Sequence, residues 1–219
     1  MGKLIVIEGL DGSGKGTQAA LLAAHLREGG KSVREISFPQ YENPSSALVK
    51  MYLNGELGNS PDATNAYAAS MFYASDRYIS YRTDWGKDIA APDTVVIANR
   101  YTTANAYHQL AKLPREEWDA FLDWLWDFEF EKIGLPVPDA VVALSMPPAV
   151  SRALIEKRCA ETGVKKDIHE ADTAYLDRCY EALHYAADKL GWVCLSCAEN
   201  GVPYSIEKMS ARIWAALGV

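Results

Sequence analysis

The residue types and spacing of a phosphate-binding loop occur near the start of the chain, in the segment Gly9-Leu10-Asp11-Gly12-Ser13-Gly14-Lys15-Gly16-Thr17. An apolar run over residues 4–7 precedes this segment, and a helical pattern follows it. Glycines let successive backbone N–H groups face one anion, and the helix behind them adds unpaired N–H groups and a positive dipole end. Lys15 then supplies a mobile positive charge for the β- and γ-phosphates of a nucleotide.

The loop departs from the usual pattern, G-x-x-x-x-G-K-[ST], directly after its lysine. Gly16 stands where Ser or Thr is expected, and Thr17 comes one position late. The run Gly-Lys-Gly-Thr-Gln nevertheless resembles the loop of adenylate kinases. The missing hydroxyl weakens the case for a direct side-chain contact with Mg²⁺, and a glycine-rich turn that merely starts a helix is the structural alternative.

Apolar runs alternate with helical patterns along the whole chain. Strands are predicted at residues 3–8, 33–37, 94–98, 140–144 and 192–196. Helices are predicted at about 16–28, before 54–55, and at about 62–87, 103–112, 115–132, 148–161, 172–190 and 205–217. This alternation indicates one α/β domain over residues 1–219 with a five-stranded parallel sheet and helices on both faces. Together with the phosphate-binding loop, it leads us to expect a P-loop NTPase-like three-layer fold. Ligands of such sheets bind at the carboxyl ends of the strands.

Composition narrows the function classes. The chain has 219 residues, of which 49% are hydrophobic, which is enough for one domain with a sizeable core. Its net charge of −7 argues against a nucleic-acid polymer as partner, because duplex binding needs a basic surface. No secretion signal and no apolar run near the roughly 18 residues of a membrane span are seen, so a cytoplasmic protein without membrane contact is expected.

Two of the four cysteines, Cys194 and Cys197, form a C-x-x-C pair in the expected fifth strand. Redox chemistry or metal binding is one interpretation of this spacing. No second cysteine pair or histidine pair accompanies it, and the strand is expected to be buried. Structural thiols are therefore the favoured interpretation.

Five separated segments together resemble the thymidylate kinases, a family of nucleoside monophosphate kinases. They are Ile7 to Lys15, Phe38-Pro39-Gln40-Tyr41, Phe72-Tyr73-Ala74-Ser75-Asp76-Arg77, Asn99-Arg100-Tyr101 with Thr102-Thr103-Ala104-Asn105, and Lys165-Lys166-Asp167-Ile168-His169-Glu170. Each segment is weak evidence alone, but all five occur in family order across nearly the whole chain. The resemblance implies phosphorylation of dTMP to dTDP, with ATP as donor and Mg²⁺ as cofactor.

A monophosphate acceptor needs a cation at its phosphate. Arg100 leaves a strand end beside the phosphate-binding loop, so its guanidinium can bind that phosphate bidentately, and the family resemblance implies the same role. The resemblance also has Phe38 and Pro39 lining the acceptor cleft and Tyr41 donating toward the phosphate. An ordinary surface Arg and a plain strand-exit turn are the alternatives.

The acceptor base needs a platform and polar groups at its edge. Tyr73 and Arg77 are spaced i and i+4 on a helix and therefore share a face. The resemblance has Tyr73, where Phe is common, stacking on thymine and Arg77 bonding the base edge. Asn105 carries both a donor and an acceptor for a pyrimidine edge. A core tyrosine beside a surface Arg, and a simple helix-start Asn, are the alternatives.

The metal and the lid carry the remaining candidate residues. Asp11 lies inside the loop, where the family uses an acid on the acceptor sugar and near the metal, and Glu8 is a further candidate ligand. Asn99 replaces the usual Asp and is a weaker Mg²⁺ ligand. The resemblance implies a small mobile lid at about 157–171 whose cations, Arg158, Lys165 and Lys166, serve catalysis; ordinary solvated charges are the alternative. His169 is expected to be structural.

Three hypotheses follow, of which dTMP phosphorylation leads. A kinase for another nucleotide or nucleoside acceptor is the second, and a catalytically weakened nucleotide-binding homologue, motivated by Gly16 and Asn99, is the third. A homodimer is also expected, since the family dimerises through helical faces. The candidate face is an apolar stripe at helical spacing, which a core helix would equally show: Trp118, Phe121, Leu122, Leu125 and Phe128.

Overall fold

The computed structural model describes residues 1–163 and 166–219. Its centre is a five-stranded parallel sheet in the order β2-β3-β1-β4-β5. The strands are β1 (Lys3–Gly9), β2 (Ser32–Ser37), β3 (Thr94–Asn99), β4 (Ala140–Ser145) and β5 (Val193–Ser196). The predicted α/β fold with five parallel strands is confirmed, and each strand lies within two residues of its predicted position.

Helices surround this sheet. They are α1 (Lys15–Glu28), α2 (Ala47–Leu53), α3 (Ala66–Ser80), α4 (Gly86–Ala90), α5 (Thr102–Leu110), α6 (Trp118–Trp126), α7 (Pro148–Thr162), α8 (Ile168–Ala171), α9 (Thr173–Leu190) and α10 (Ile206–Leu217). Within the described residues, no helix is long and apolar enough to cross a membrane.

The sheet is buried on both faces. Successive side chains of its central strand point in opposite directions and therefore enter two different cores. Leu4 and Val6 of β1 join a core formed with α5, α6 and α9. Ile5 and Ile7 join a second core formed with α1 and α10. This division explains why β1 is a continuous apolar run in the sequence, and it confirms that helices cover both faces.

The predicted long helix at 62–87 is wrong at its start and in its regularity. The chain forms a 3₁₀ turn at Pro61–Ala63, and α3 begins only at Ala66. Asn65 caps α3, since its side-chain oxygen accepts a hydrogen bond from Ala68 N. A π-helical segment, Tyr81–Trp85, then links α3 to α4. No helix is predicted between the helices at about 148–161 and 172–190, but the end of this gap forms the short helix α8.

The expectation of a buried fifth strand is wrong, because β5 lies at the edge of the sheet. Cys194 is exposed and Cys197 is buried, and all four cysteines are free thiols. Burial raises the pKa of the Cys197 thiol to about 12, so this thiol is unreactive. A short antiparallel hairpin, β6 (Ala198–Glu199) with β7 (Val202–Pro203), follows β5 and was not predicted.

The apolar stripe expected to form a dimer face lies inside the protein. Four of its side chains, Trp118, Phe121, Leu122 and Leu125, are buried in the core that α5 and α9 also build. Only Phe128 is partly exposed, and it stacks on Trp124. The stripe therefore stabilises the monomer and leaves no continuous surface for a second copy.

Candidate active site

The phosphate-binding loop connects β1 to α1 and turns sharply at two glycines. Gly9 and Gly12 have φ values of +149° and +77°, which L side chains rarely adopt. A Cβ on Gly12 would lie 2.8 Å from the Ser151 carbonyl oxygen of α7. The Ser151 hydroxyl in turn donates to the carbonyl oxygen of Asp11. The loop is thus held tightly between the sheet and α7, with the amino end of α1 behind it.

Two cations from separate elements meet at Asp11. Lys15 Nζ lies 3.1 Å and Arg100 Nη2 lies 2.8 Å from the same oxygen, Asp11 Oδ1. Burial would raise the pKa of Asp11, but the charges of Arg100 and Lys15 outweigh it and hold this pKa well below its usual range. The acid inside the loop is therefore neutralised by the two groups that the sequence assigned to donor and acceptor phosphates.

The backbone turns abruptly where Arg100 leaves β3. Its φ of +67° lies in the left-handed region, and its N–H donates to the Ile7 carbonyl oxygen at 3.2 Å. Its Nη1 contacts Tyr107 Oη at 3.2 Å and His108 Nε2 at 2.9 Å. Burial, and then the charge of Arg100, lower the pKa of His108 well below its usual value, so its ring is neutral and accepts from Arg100. His108 was not among the sequence candidates, although it follows the motif ending at Asn105 by three residues.

The expectation that Glu8 could hold a metal is corrected by its surroundings. Glu8 is fully buried, and its Oε1 accepts hydrogen bonds from Tyr101 N at 3.0 Å and Thr103 Oγ1 at 2.6 Å. Its Oε2 accepts from Tyr107 Oη at 2.9 Å. Both oxygens are thus engaged away from solvent, and Glu8 ties β1 to the start of α5, next to Arg100.

A cavity of about 920 Å³ opens beside the two cations. It brings together side chains expected at the donor phosphates, the acceptor site and the lid, namely Asp11, Lys15, Phe38, Pro39, Tyr41, Tyr73, Arg77, Arg100, Asn105 and Arg158. Other lining residues were not among the sequence candidates, including Lys50, Asn54, His108, Gln109, Asp167, His169 and Glu170. The carboxyl ends of β2 and β3 form the floor of this cavity, as the fold class predicts.

The turn after β2 is fixed by an acid of α3. Asp76 Oδ2 accepts a hydrogen bond from Gln40 N at 2.8 Å. Phe38 is buried against Tyr101 and is joined to Pro39 by a cis peptide bond. Asp76 therefore holds the strand exit that presents Phe38 and Tyr41 to the cavity, a role that the sequence motif around Asp76 did not reveal.

The far end of the cavity holds a buried ion pair. Arg77 is 1% exposed, so the alternative of a surface Arg is wrong. Its guanidinium forms a bidentate pair with Glu129, and its Nη1 donates to the Tyr101 carbonyl oxygen at 3.4 Å. Asn105 Nδ2 also donates to Glu129, at 3.1 Å. Tyr73 packs edge-on against Tyr52 next to this pair.

The candidate lid cations differ in their placement. Arg158 reaches the cavity and donates to Glu170 Oε1 at 2.6 Å, whereas Lys166 lies 3.7 Å from Glu156 in a looser surface pair. Lys165 lies outside the described residues. His169 stacks on His108 and contacts Tyr52 Oη at 2.9 Å, and burial lowers its pKa to about 3. A neutral, packed ring fits the structural role expected for His169.

Gly16 and Asn99, the two residues that depart from the family pattern, lie next to each other. A Cβ on Gly16 would lie 3.5 Å from Asn99 Nδ2, which donates to Ser37 Oγ at 3.0 Å. Asn99 Oδ1 is buried and has no hydrogen-bond partner among residues 1–163 and 166–219. That part of the chain also contains no cluster of three or more His, Cys, Asp or Glu side chains able to hold a metal. A metal here would therefore depend on few protein ligands.

Comparisons with known proteins show the family of this chain. The family model for thymidylate kinase matches residues 7–208. The thymidylate kinase of Mycobacterium tuberculosis is 32% identical over 195 residues, which cover 86% of this chain and 87% of the relative. The probable thymidylate kinase of Methanothermobacter thermautotrophicus is 32% identical over 202 residues, covering 90% and 87%.

A solved structure gives the same fold. The thymidylate kinase of Candida albicans superimposes with a TM-score of 0.69 over 99% of this chain and 91% of its own, at 20% identity. Its fold is the P-loop NTPase fold expected from the sequence. With the family model and both relatives covering most of the chain, this protein belongs to the thymidylate kinase family and is a nucleoside monophosphate kinase.

Proposed function

We propose that this protein transfers the γ-phosphate of ATP to dTMP, giving ADP and dTDP. The observation that carries the proposal is the placement of Lys15 and Arg100 on either side of Asp11, at the mouth of a cavity large enough for a nucleotide. Two cations from different elements face one gap, which suits a reaction between two phosphate groups.

The donor phosphates bind to the loop from Gly9 to Thr17. Its backbone N–H groups and the amino end of α1 receive the anion, and Lys15 exchanges Asp11 for the β- and γ-phosphates. Burial, and then the charge of Arg100, lower the pKa of Lys15 although Asp11 acts to raise it, so the charged ammonium carries a net electrostatic cost in this site. An incoming polyphosphate therefore relieves an existing electrostatic cost.

The acceptor phosphate binds to Arg100. His108 and Tyr107 hold one side of the guanidinium, which leaves its other edge, now on Asp11, to grip the phosphate bidentately. Asp11 then faces the acceptor sugar. Phe38, Pro39 and Tyr41 line this side of the cleft. Because phosphoryl transfer runs on positioning and charge neutralisation, no separate general base is required.

The acceptor base lies deeper in the cavity. Tyr73 provides the aromatic platform on which a pyrimidine stacks. Arg77 and Asn105 face the base edge and bond it through their free hydrogen-bonding groups.

Residues 157–171 act as the lid of the single domain. Arg158, held by Glu170 at the cavity, is the lid cation best placed to stabilise charge on the transferred group; Lys166 and Lys165 are further candidates. Closure of this segment over the phosphates excludes water and so prevents hydrolysis of ATP.

The residues present fit Mg²⁺ held mainly by nucleotide phosphates and water. Mg²⁺ takes oxygen ligands and commonly keeps several waters beside one or two protein groups. Asp11 supplies an ionised carboxylate, and Asn99 supplies a buried oxygen without a partner among the described residues. When bound, Mg²⁺ neutralises charge on the donor phosphates. Asp11 and Asn99 are the residues that would hold it.

The acceptor is tested by a panel of nucleotides in a coupled assay for ADP. We expect dTMP to give the highest kcat/KM among dTMP, dUMP, dCMP, AMP and thymidine. The panel matters because the Candida albicans relative is described as having broad substrate specificity. Faster turnover of AMP or thymidine than of dTMP would assign the protein to a different acceptor while leaving its kinase chemistry intact.

Replacing Asn99 with Asp tests whether catalysis has weakened in this chain. We expect Asn99→Asp to lower the Mg²⁺ concentration needed for half-maximal rate several-fold, because a carboxylate binds Mg²⁺ more tightly than an amide. The kcat at saturating Mg²⁺ should change by less than about tenfold, since phosphates supply most of the ligands. A gain of more than a hundredfold from a nearly inactive wild type would instead favour a nucleotide-binding homologue that has lost activity.

A homodimer is proposed through α3 rather than α6. The exposed apolar side chains Tyr67, Met71, Tyr78 and Ile79 lie on α3, and Tyr67 packs on Trp124. Light scattering at micromolar concentration should give twice the 24.1 kDa chain mass for the wild type, and the monomer mass for Ile79→Glu. Ile206→Glu, a similarly exposed position on α10, is the control. A wild-type monomer would contradict the proposal.

The four cysteines are free thiols, which supports a cytoplasmic location.

A further inference from the structure

Glu129 is a buried acid that no sequence motif singled out. It is 0% exposed and lies in a π-helical segment, Asp127–Lys132, which continues α6. Such segments occur frequently at functional sites. Glu129 does not itself line the cavity, but its carboxylate contacts two side chains that do, Arg77 and Asn105.

The Glu129 carboxylate receives four hydrogen bonds from the described part of the chain. Its Oε2 accepts from Arg77 Nε at 2.8 Å and from Thr102 Oγ1 at 2.7 Å. Its Oε1 accepts from Arg77 Nη2 and from Asn105 Nδ2, the latter at 3.1 Å. A carboxylate only accepts, so every group turned toward it must be a donor. This requirement fixes which atoms Arg77 and Asn105 have left for a ligand.

The orientation of the Asn105 amide follows from these contacts. Its Nδ2 donates to Glu129 and to the Ser70 carbonyl oxygen at 3.3 Å, which uses both amide hydrogens. A flipped amide would set its oxygen against two acceptors, and so would leave buried groups unpaired. Asn105 Oδ1 therefore remains as an acceptor, with no partner among the described residues.

Arg77 offers hydrogen-bond donors, whereas Asn105 offers an acceptor. Three of its five N–H groups are used by Glu129 and the Tyr101 carbonyl oxygen, so two N–H groups of Arg77 have no partner in residues 1–163 and 166–219. The cavity end thus offers a donor from Arg77 beside an acceptor from Asn105. Thymine and uracil match this pattern with an O4 acceptor beside an N3–H donor, whereas cytosine has an N4 donor beside an N3 acceptor.

We infer that Glu129 is a positioning residue that makes the site selective for thymine and uracil over cytosine, by fixing the polarity of Arg77 and Asn105. The inference rests on the proposed function. With Gln at position 129 and its amide nitrogen in the place of Oε1, a flipped Asn105 amide gains a donor there and is opposed only by the Ser70 carbonyl oxygen, while Arg77 Nη2 loses its acceptor. The same flip presents a donor to N3 of cytosine.

The test is the ratio of kcat/KM for dTMP to that for dCMP. In Glu129→Gln this ratio should fall at least about tenfold, because a hydrogen-bond mismatch with buried groups carries much of such discrimination. The ratio of dTMP to dUMP should stay within twofold, since those bases share the same edge. Asp127→Asn, on the same segment but exposed, should change neither ratio. The folded fraction cancels from a ratio of two kcat/KM values measured on the same preparation, so partial unfolding does not mimic the effect.

Glu129→Gln leaves the buried guanidinium of Arg77 without a counter-charge and can fail to fold. Glu129→Asp then serves instead, because it keeps the charge but withdraws the carboxylate by one methylene group, and a smaller fall in the dTMP to dCMP ratio is expected. An unchanged ratio in a folded variant would overturn the role of Glu129. A wild type that does not accept dTMP would overturn the proposed function instead, so the two failures are distinguishable.

Discussion

Replacing Lys15 with alanine is expected to lower kcat for dTMP phosphorylation about 10³-fold, the loss seen when one fixed donor to developing charge is removed. Lys15 is buried beside Asp11, in a setting where water cannot replace its charge. The KM for dTMP should change little, because Arg100 and the base-contacting side chains remain. Steady-state kinetics with dTMP and ATP varied separately provide the measurement.

Two controls make the Lys15 result specific. Lys132→Ala removes an equally charged side chain from an exposed pair with Asp127 and should leave kcat unchanged. Thermal unfolding of Lys15→Ala should stay close to the wild type, since Arg100 still neutralises Asp11. A Lys15→Ala protein that is folded and retains more than a tenth of the wild-type kcat would show that the donor phosphates are bound elsewhere.

Replacing Arg100 with lysine is expected to lower kcat/KM for dTMP about 10²-fold, while the KM for ATP changes less than threefold. Lysine keeps the charge but cannot make two parallel hydrogen bonds to one phosphate. Each charge-assisted bond of this kind contributes about 1.5–3 kcal/mol, and the lysine charge recovers part of the loss. The informative result is a fall in kcat/KM for dTMP without a matching change in the KM for ATP.

Arg27→Lys is the matched control for Arg100, because Arg27 makes an exposed pair with Glu35 of β2 and should tolerate the change. Loss of ATP affinity in Arg100→Lys, with dTMP kinetics intact, would place this guanidinium on the donor rather than the acceptor. Equal kinetics in Arg100→Lys and wild type would remove Arg100 from the phosphate site.

Local sequence patterns were sufficient for the sheet and most helices. Each strand is a short apolar run, and helices such as α6, α9 and α10 have clear apolar periodicity, so these elements were predictable without tertiary information. The two π-helical segments were not predictable in this way, because one extra residue in a single turn barely alters the apolar periodicity of the sequence. The late start of α3 was readable in principle, because Asn65 is a favoured N-cap residue one position before the helix.

Site residues that belong to a motif could be predicted from the sequence. The buried acid that positions some of them could not. Arg100 and the loop could be placed together because parallel strands end at one edge of the sheet. Glu129 pairs with Arg77 across 52 residues of sequence, which no local pattern indicates. One signal was available: Glu129 follows Leu125 by four residues on a buried helix face, where an acid needs a buried cation or donor.

The central claim is that two nucleotides meet over Lys15, one held by the loop and the other by Arg100. A crystal structure with a bisubstrate analogue, adenosine and thymidine joined by five phosphates, tests it most directly. The account predicts the thymidine-side phosphate within about 3 Å of the Arg100 guanidinium, and the adenosine-side phosphates on Lys15 and the loop amides. A phosphate chain that bypasses Arg100, with its guanidinium still bound to Asp11, would contradict the account.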